Sequence, residues 1–188
     1  MINRYVVENY LSATSLKNYI NNDPILDYFK WMGLKGKSMN SYLKSMSDRG
    51  ITHEDNINQK IVNYCRYNNI SCIDLSNVDF SEKFSNTMES LNNGIDVIIQ
   101  GMVISSRYPL YGCPDIIIKR KYLNLLDSID RECSAIGRII DDQYCIVEIK
   151  SCTVYSVDNQ VINRNFKSHE SQAYIYSLCL SDMIWYIS

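Results

Sequence analysis

The sequence predicts an α/β fold: a central mixed β-sheet flanked by helices and preceded by an N-terminal helical segment. Residues 95–103 (IDVIIQGMV), 113–119 (CPDIIIK) and 144–150 (YCIVEIK) are strand-length runs rich in β-branched residues and bounded by turn residues. Apolar residues recur at i, i+3 and i+4 both before and after those runs. A chain of 188 residues, 46% hydrophobic and 21% charged, can bury one good core. One domain over 1–188 is therefore expected, with 1–48 as the helical extension and 50–188 as the main body.

Residues 12–33 open on Ser12-Ala13-Thr14-Ser15 and carry Ile25, Leu26, Tyr28, Phe29, Trp31 and Met32 at mixed i+3 and i+4 spacing, which predicts short helices. Residues 34–40, with Gly36 between Lys35 and Lys37 and followed by Ser38, read as a loop. From 40 to 67 the pattern Tyr42, Leu43, Met46, Ile51, Ile57, Ile61, Val62 and Cys65 is helical. Gly50 is expected to break it or pack closely, and Thr52 to cap a new start. Residues 70–75 form a minor strand or loop, and 87–92 a short helix stopped by Asn93-Gly94. The three main strands then follow without a long helix between the first two, so an antiparallel meander is expected. A helix over 120–143, another over 169–180 (HESQAYIYSLCL) and a last strand over 183–187 (MIWYI) complete the chain.

Seven glycines, three prolines and no apolar run of about 18 residues exclude low-complexity disorder and a membrane-spanning helix. No basic region followed by an apolar stretch opens the chain, so an intracellular location is expected and no membrane partner. Seven cysteines (65, 72, 113, 133, 145, 152 and 179) with no CxxC pair argue for free thiols rather than a disulfide framework or a zinc site. The net charge of −2 excludes a globally basic surface but not a local basic groove.

Glu148 and Lys150 stand at i and i+2 on one expected strand, so both project from the same face while Val147 and Ile149 face the core. A carboxylate and an ammonium on an otherwise apolar strand are costly to bury unless paired or metal-bound. Asp115 follows Gly112-Cys113-Pro114 and precedes Ile116-Ile117-Ile118, at the mouth of the neighbouring strand. If the two strands are antiparallel neighbours, Asp115 and Glu148 converge although they lie 33 residues apart. Two carboxylates completed by waters and a phosphate suit Mg²⁺ or Mn²⁺ better than zinc.

Pro114-Asp115 followed by Glu148-Ile149-Lys150 resembles the PD-(D/E)xK signature of restriction-endonuclease-like nucleases. Gln172 and Tyr176, at i and i+4 on one helix face, resemble the QxxxY element of the RecB-like branch, and Gly50-Ile51-Thr52-His53-Glu54 resembles its GxxxE element. Residues 87–101 look like the helix and strand that precede the Pro-Asp strand in that branch. The four elements occur in the family's order, from about residue 50 to 176. The Asn, Ile, Lys and Tyr bias resembles members encoded by giant DNA viruses with AT-rich genomes, for which the location would be the host cytoplasm or a viral factory. Two features depart from the pattern: the segment between Asp115 and Glu148 is long for a hairpin, and relatives continue beyond the expected last strand. The clustered cysteines of iron–sulfur members are also missing.

The resemblance implies a restriction-endonuclease-like fold over 50–188 and hydrolysis of nucleic-acid phosphodiesters, DNA before RNA. Asp115, Glu148, the carbonyl of Ile149 and, through GxxxE, Glu54 would hold Mg²⁺ or Mn²⁺, and Lys150 would orient and activate water. Gln172, Tyr176, Lys119 and Arg120 would touch substrate, with Lys121, Arg164 and Lys167 as further candidate phosphate contacts. His53 is a further candidate ligand beside Glu54. The alternative is a nuclease-fold protein that binds nucleic acid or a protein partner without cutting.

Overall fold

A computed structural model describes residues 9–23, 25–34, 36, 38–123, 125, 142–151, 155–157, 160–162 and 166–187. It is a mixed α/β structure. In chain order the elements are β1 (Leu11–Ser12), α1 (Ala13–Ile20), α2 (Ile25–Trp31), α3 (Ser41–Tyr67), β2 (Cys72–Asp74), α4 (Phe80–Asn92) and β3 (Val97–Ile99). Then come β4 (Val103–Ile104), β5 (Leu110–Gly112), β6 (Ile116–Lys119), a 3₁₀ turn (Arg120–Tyr122), β7 (Tyr144–Val147), β8 (Tyr155–Val157), β9 (Gln160–Ile162) and α5 (Phe166–Ile187). No helix among the described residues is long and apolar enough to cross a membrane.

The main sheet has the order β2-β3-β6-β7. β2 and β3 are parallel, joined by the crossover helix α4, and β3-β6-β7 form the expected antiparallel succession. The two-residue period of the strands decides what each face buries. Val97, Ile99, Ile116 and Ile118 pack against Ile61 and Cys65 of α3. Ile98 and Ile117 point the other way, onto Leu91 of α4 and Tyr176, Cys179, Leu180 and Met183 of α5. Each fully buried isoleucine contributes about 1.5–3 kcal/mol, so the sheet is fixed from both sides.

Several boundaries differ from the sequence reading. The expected strand 95–103 is two strands in two sheets, because Gln100 adopts a left-handed φ of +53° and bends the chain after β3. β4 then joins a second sheet of order β1-β5-β4. The strand expected over 113–119 is confined to Ile116–Lys119, and the one over 144–150 ends at Val147. Glu148 and Lys150 therefore lie just past a strand rather than on it.

The helix boundaries shift as well. Thr52 starts nothing: α3 runs 27 residues from the cap at Asn40, whose side chain accepts from the Leu43 N–H at 2.8 Å. The Thr52 hydroxyl donates back to the Asp48 carbonyl. A lone glycine costs a helix only about 1 kcal/mol, so Gly50 is carried through. α4 begins seven residues earlier than expected but stops at Asn93-Gly94 as read, with Gly94 at φ +68°.

The last strand expected over 183–187 is instead the end of α5, since no breaker separates it from the preceding turns. Met183 is buried, and the buried Asp182 accepts from the Ser105 hydroxyl at 2.5 Å and pairs with Arg107 at 3.2 Å, fixing α5 to the turn after β4. The β8-β9 hairpin was not anticipated. Most of the helix expected over 120–143 lies outside the described residues, as do Cys133 and Cys152; the other five cysteines are free thiols.

Two glycines give opposite forecasts. A Cβ at Gly112 would lie 2.0 Å from a ring carbon of the fully buried Tyr176, so Gly112→Ala should cost about 1–3 kcal/mol. Nothing lies within 4 Å of a Cβ at Gly50, in the middle of α3, so Gly50→Ala should stabilise by about 0.5–1 kcal/mol. Urea unfolding of the two variants checks both signs.

Candidate active site

Asp115 immediately precedes β6 and Glu148 immediately follows β7, and the last register pair of those strands is Ile116 with Val147. The antiparallel ladder thus brings the two acids to neighbouring positions at one end of the sheet. Asp115 is 8% exposed, and the Glu148 side chain 9%. The Asp115 carboxylate accepts from the Ile149 N–H at 2.6 Å, taking the place that a strand carbonyl would have filled had β7 continued. Lys150 Nζ donates to Glu148 Oε2 at 2.5 Å and lies 3.9 Å from Asp115 Oδ2.

A third acid arrives from α3. Gln100 Nε2 donates both to Glu54 Oε1 and, at 3.3 Å, to Asp115 Oδ1. The shared amide keeps the two carboxylates within two hydrogen-bond lengths of each other. Gln100 is held for this task at both ends: its backbone N–H donates to the Asp115 carbonyl at 2.9 Å, and its left-handed conformation turns the side chain out of the sheet. Glu54 sits mid-helix, so the helix-start dipole does not explain it. Gln100 was not singled out from the sequence, although one amide between Ile99 and Gly101 in an apolar run was a signal.

The electrostatics reflect this crowding. Burial raises the pKa of Glu148, the charge of Asp115 raises it further, and Lys150 only partly offsets both. Glu54 is raised by burial and then by Asp115, against the hydrogen bond from Gln100 and the charge of Lys150. Glu148 Oε1 is buried without a hydrogen-bond partner.

The remaining candidates are placed elsewhere or differently. Gln172 and Tyr176 are 5% and 2% exposed, inside the core rather than on a substrate face. Gln172 Nε2 donates to the Tyr176 hydroxyl at 2.7 Å, and Gln172 Oε1 has no partner. Burial raises the Tyr176 phenol to about 12, and the charge of Glu148 also reaches it, so the pair lies behind the acids. Lys119 is at the opposite end of β6 from Asp115, about 13 Å along the strand at 3.3 Å per residue. It donates to Asp96 at 2.9 Å and to the Gly94 carbonyl at 2.7 Å, so the structure does not bring it to the acids. Arg120 follows it at that far end, and Lys121 pairs with Asp142 at 2.6 Å. His53 and Lys167 are exposed; Arg164 lies outside the described residues. Ile149, expected to offer its carbonyl, meets Asp115 through its N–H.

Because Glu148 is raised by burial and by a like charge, its ionisation costs the metal-free fold stability that is present below the ordinary value of 4.5 and lost as pH rises through the folded value. Glu148→Gln should therefore raise the Tm of metal-free protein at neutral pH by about 2–4 °C, with the gain vanishing below about pH 4, as scanning calorimetry across pH would show. In comparisons with known proteins, no family model, no curated protein and no solved structure matches this chain.

Proposed function

We propose that the chain is a divalent-cation-dependent nuclease of the PD-(D/E)xK type that hydrolyses nucleic-acid phosphodiesters, with DNA the substrate to try first. One observation carries the reading: Glu54, Asp115 and Glu148, from three elements far apart in sequence, meet with Lys150 at one end of the sheet. Such a cluster destabilises the empty protein, which makes a structural role a poor account of it.

The donor set fits a hard cation. All its side-chain donors are oxygens, Asp115 raises the pKa of both Glu54 and Glu148, and the buried Glu148 Oε1 lacks a partner that a cation would supply. No three or more carboxylate, imidazole or thiol groups among the described residues are arranged to hold one ion. Mg²⁺ and Mn²⁺ keep waters and take one or two protein carboxylates plus a phosphate, so the reading rests on two carboxylates. Asp115 and Glu148 would hold the ion, and Glu54 would act on Asp115 through Gln100. The cation would lower the pKa of a bound water and neutralise charge developing on the phosphate.

The chain's own groups do the rest. Lys150 donates a hydrogen bond to Glu148, holds Asp115 by charge at 3.9 Å, and would orient the attacking water toward phosphorus. The Ile149 N–H fixes the Asp115 rotamer, and Gln100 fixes both Asp115 and Glu54. The Gln172–Tyr176 pair braces the core behind Glu148 without touching substrate.

Incubation of plasmid and single-stranded DNA with Mg²⁺ or Mn²⁺, beside an EDTA control, tests the reading. Cleavage should require the cation, and Glu148→Ala and Lys150→Ala should each lower its rate at least about a hundredfold while circular dichroism stays unchanged. Nucleic-acid binding without cleavage would favour the non-cutting alternative. Glu54→Gln should weaken Mn²⁺ affinity about tenfold in calorimetry with little change in Tm, as expected of a group acting through another.

A further inference from the structure

Lys83 is 9% exposed, yet among the described residues its ammonium makes no hydrogen bond and no ion pair. Its stem is buried while the ammonium keeps contact with solvent, since Nζ is not among the sealed atoms left without a partner. That leaves an ammonium at the surface of the site's end of the sheet with its hydrogen-bond donors open to a ligand.

The topology says where the charge points. β2 and β3 are parallel, so the crossover helix α4 runs back against them, and its first turn, with Lys83, stands at the end of the sheet where β3 gives way to Gln100. One turn on, the Thr87 hydroxyl donates to the Lys83 carbonyl at 2.7 Å and accepts from the Met102 N–H at 2.9 Å. This ties that turn of α4 to the segment following Gln100. Phe84, next to Lys83, packs in one cluster with Cys113. The charge of Lys83 acts on Cys113, two residues before Asp115. Lys150 is already taken up by Glu148 and Asp115, whereas the Lys83 ammonium, at the same end of the sheet, has no carboxylate partner among the described residues.

Resting on the nuclease reading, we propose that Lys83 is a substrate-binding residue whose ammonium holds a backbone phosphate of the nucleic acid next to the one that reacts. Strand phosphates are monoanionic oxygen clusters, the kind of partner that an unpaired ammonium takes. Lys83 would thereby anchor the strand on the α4 side of the carboxylates and draw an anionic substrate toward an acidic site.

The test is the affinity of a fluorescent single-stranded oligonucleotide, read by anisotropy over a range of salt with Ca²⁺ in place of Mg²⁺ and the strand checked for integrity. Lys83→Met should lose about tenfold or more in affinity, and its slope of log K against log salt should flatten by about 0.7. Lys83→Arg should keep most of both. Lys44→Met, removing an exposed lysine on the outer half of α3, should match wild type. If Lys83→Met fails to fold, Lys83→Gln replaces it. Unchanged affinity and slope, a loss no greater than that of Lys44→Met, or no oligonucleotide binding by wild type would each overturn the proposal. Binding that depends on Lys83 in a protein that never cleaves would uphold it while removing the nuclease reading.

Discussion

The hydrogen bond from the Ile149 N–H to the Asp115 carboxylate is the contact on which the rest of the site depends. It ends the β6–β7 ladder, since the backbone donor that would have continued it is taken by a side chain. Past that point Glu148 and Lys150 leave the strand and face Asp115. A carboxylate in this position also cannot be replaced by an apolar group without losing the partner of that part-buried N–H. The bond thus couples strand termination to site construction.

The two ends of the sheet are built on opposite electrostatic plans. At the far end Asp96 accepts from the Ser71 hydroxyl at 2.6 Å, the Ser71 N–H at 3.2 Å and Lys119 at 2.9 Å, and the Ser71 hydroxyl accepts from the Asp96 N–H. Burial opposes ionisation of Asp96, but these bonds outweigh it and its pKa falls below the ordinary range. That cluster is satisfied and ties β2, β3 and β6 together. At the near end, three acids share one lysine and one amide, and two of them are raised. The rigidity supplied by the first arrangement, and by isoleucines packed on both faces, lets the second persist despite its repulsion.

Burial also separates the positions that look alike in sequence. Lys119 and Lys83 are both lysines beside apolar residues, but Lys119 has Asp96 and a carbonyl, whereas Lys83 has neither. Gln172 and Gln100 are both amides in apolar surroundings. Gln172 spends its amide nitrogen on a core tyrosine, while Gln100 bridges two carboxylates.

The sequence by itself determined the strand cores, because β-branched runs of this length can bury two faces only as sheet, and it determined the antiparallel order of the three main strands. It also marked Asp115, Glu148 and Lys150, since charge in such runs demands a partner. Helix ends were legible where a left-handed glycine stops the chain, as at Gly94, and misread where tertiary packing carries the helix on, as at Gly50 and through Met183. Only the tertiary structure decided that Gln100 links Glu54 to Asp115, that Lys119 faces away, and that Tyr176 is core. Each depends on the direction of a side chain between elements that no local pattern relates. Residue spacing records which groups share a face, whereas a site is made by which faces meet.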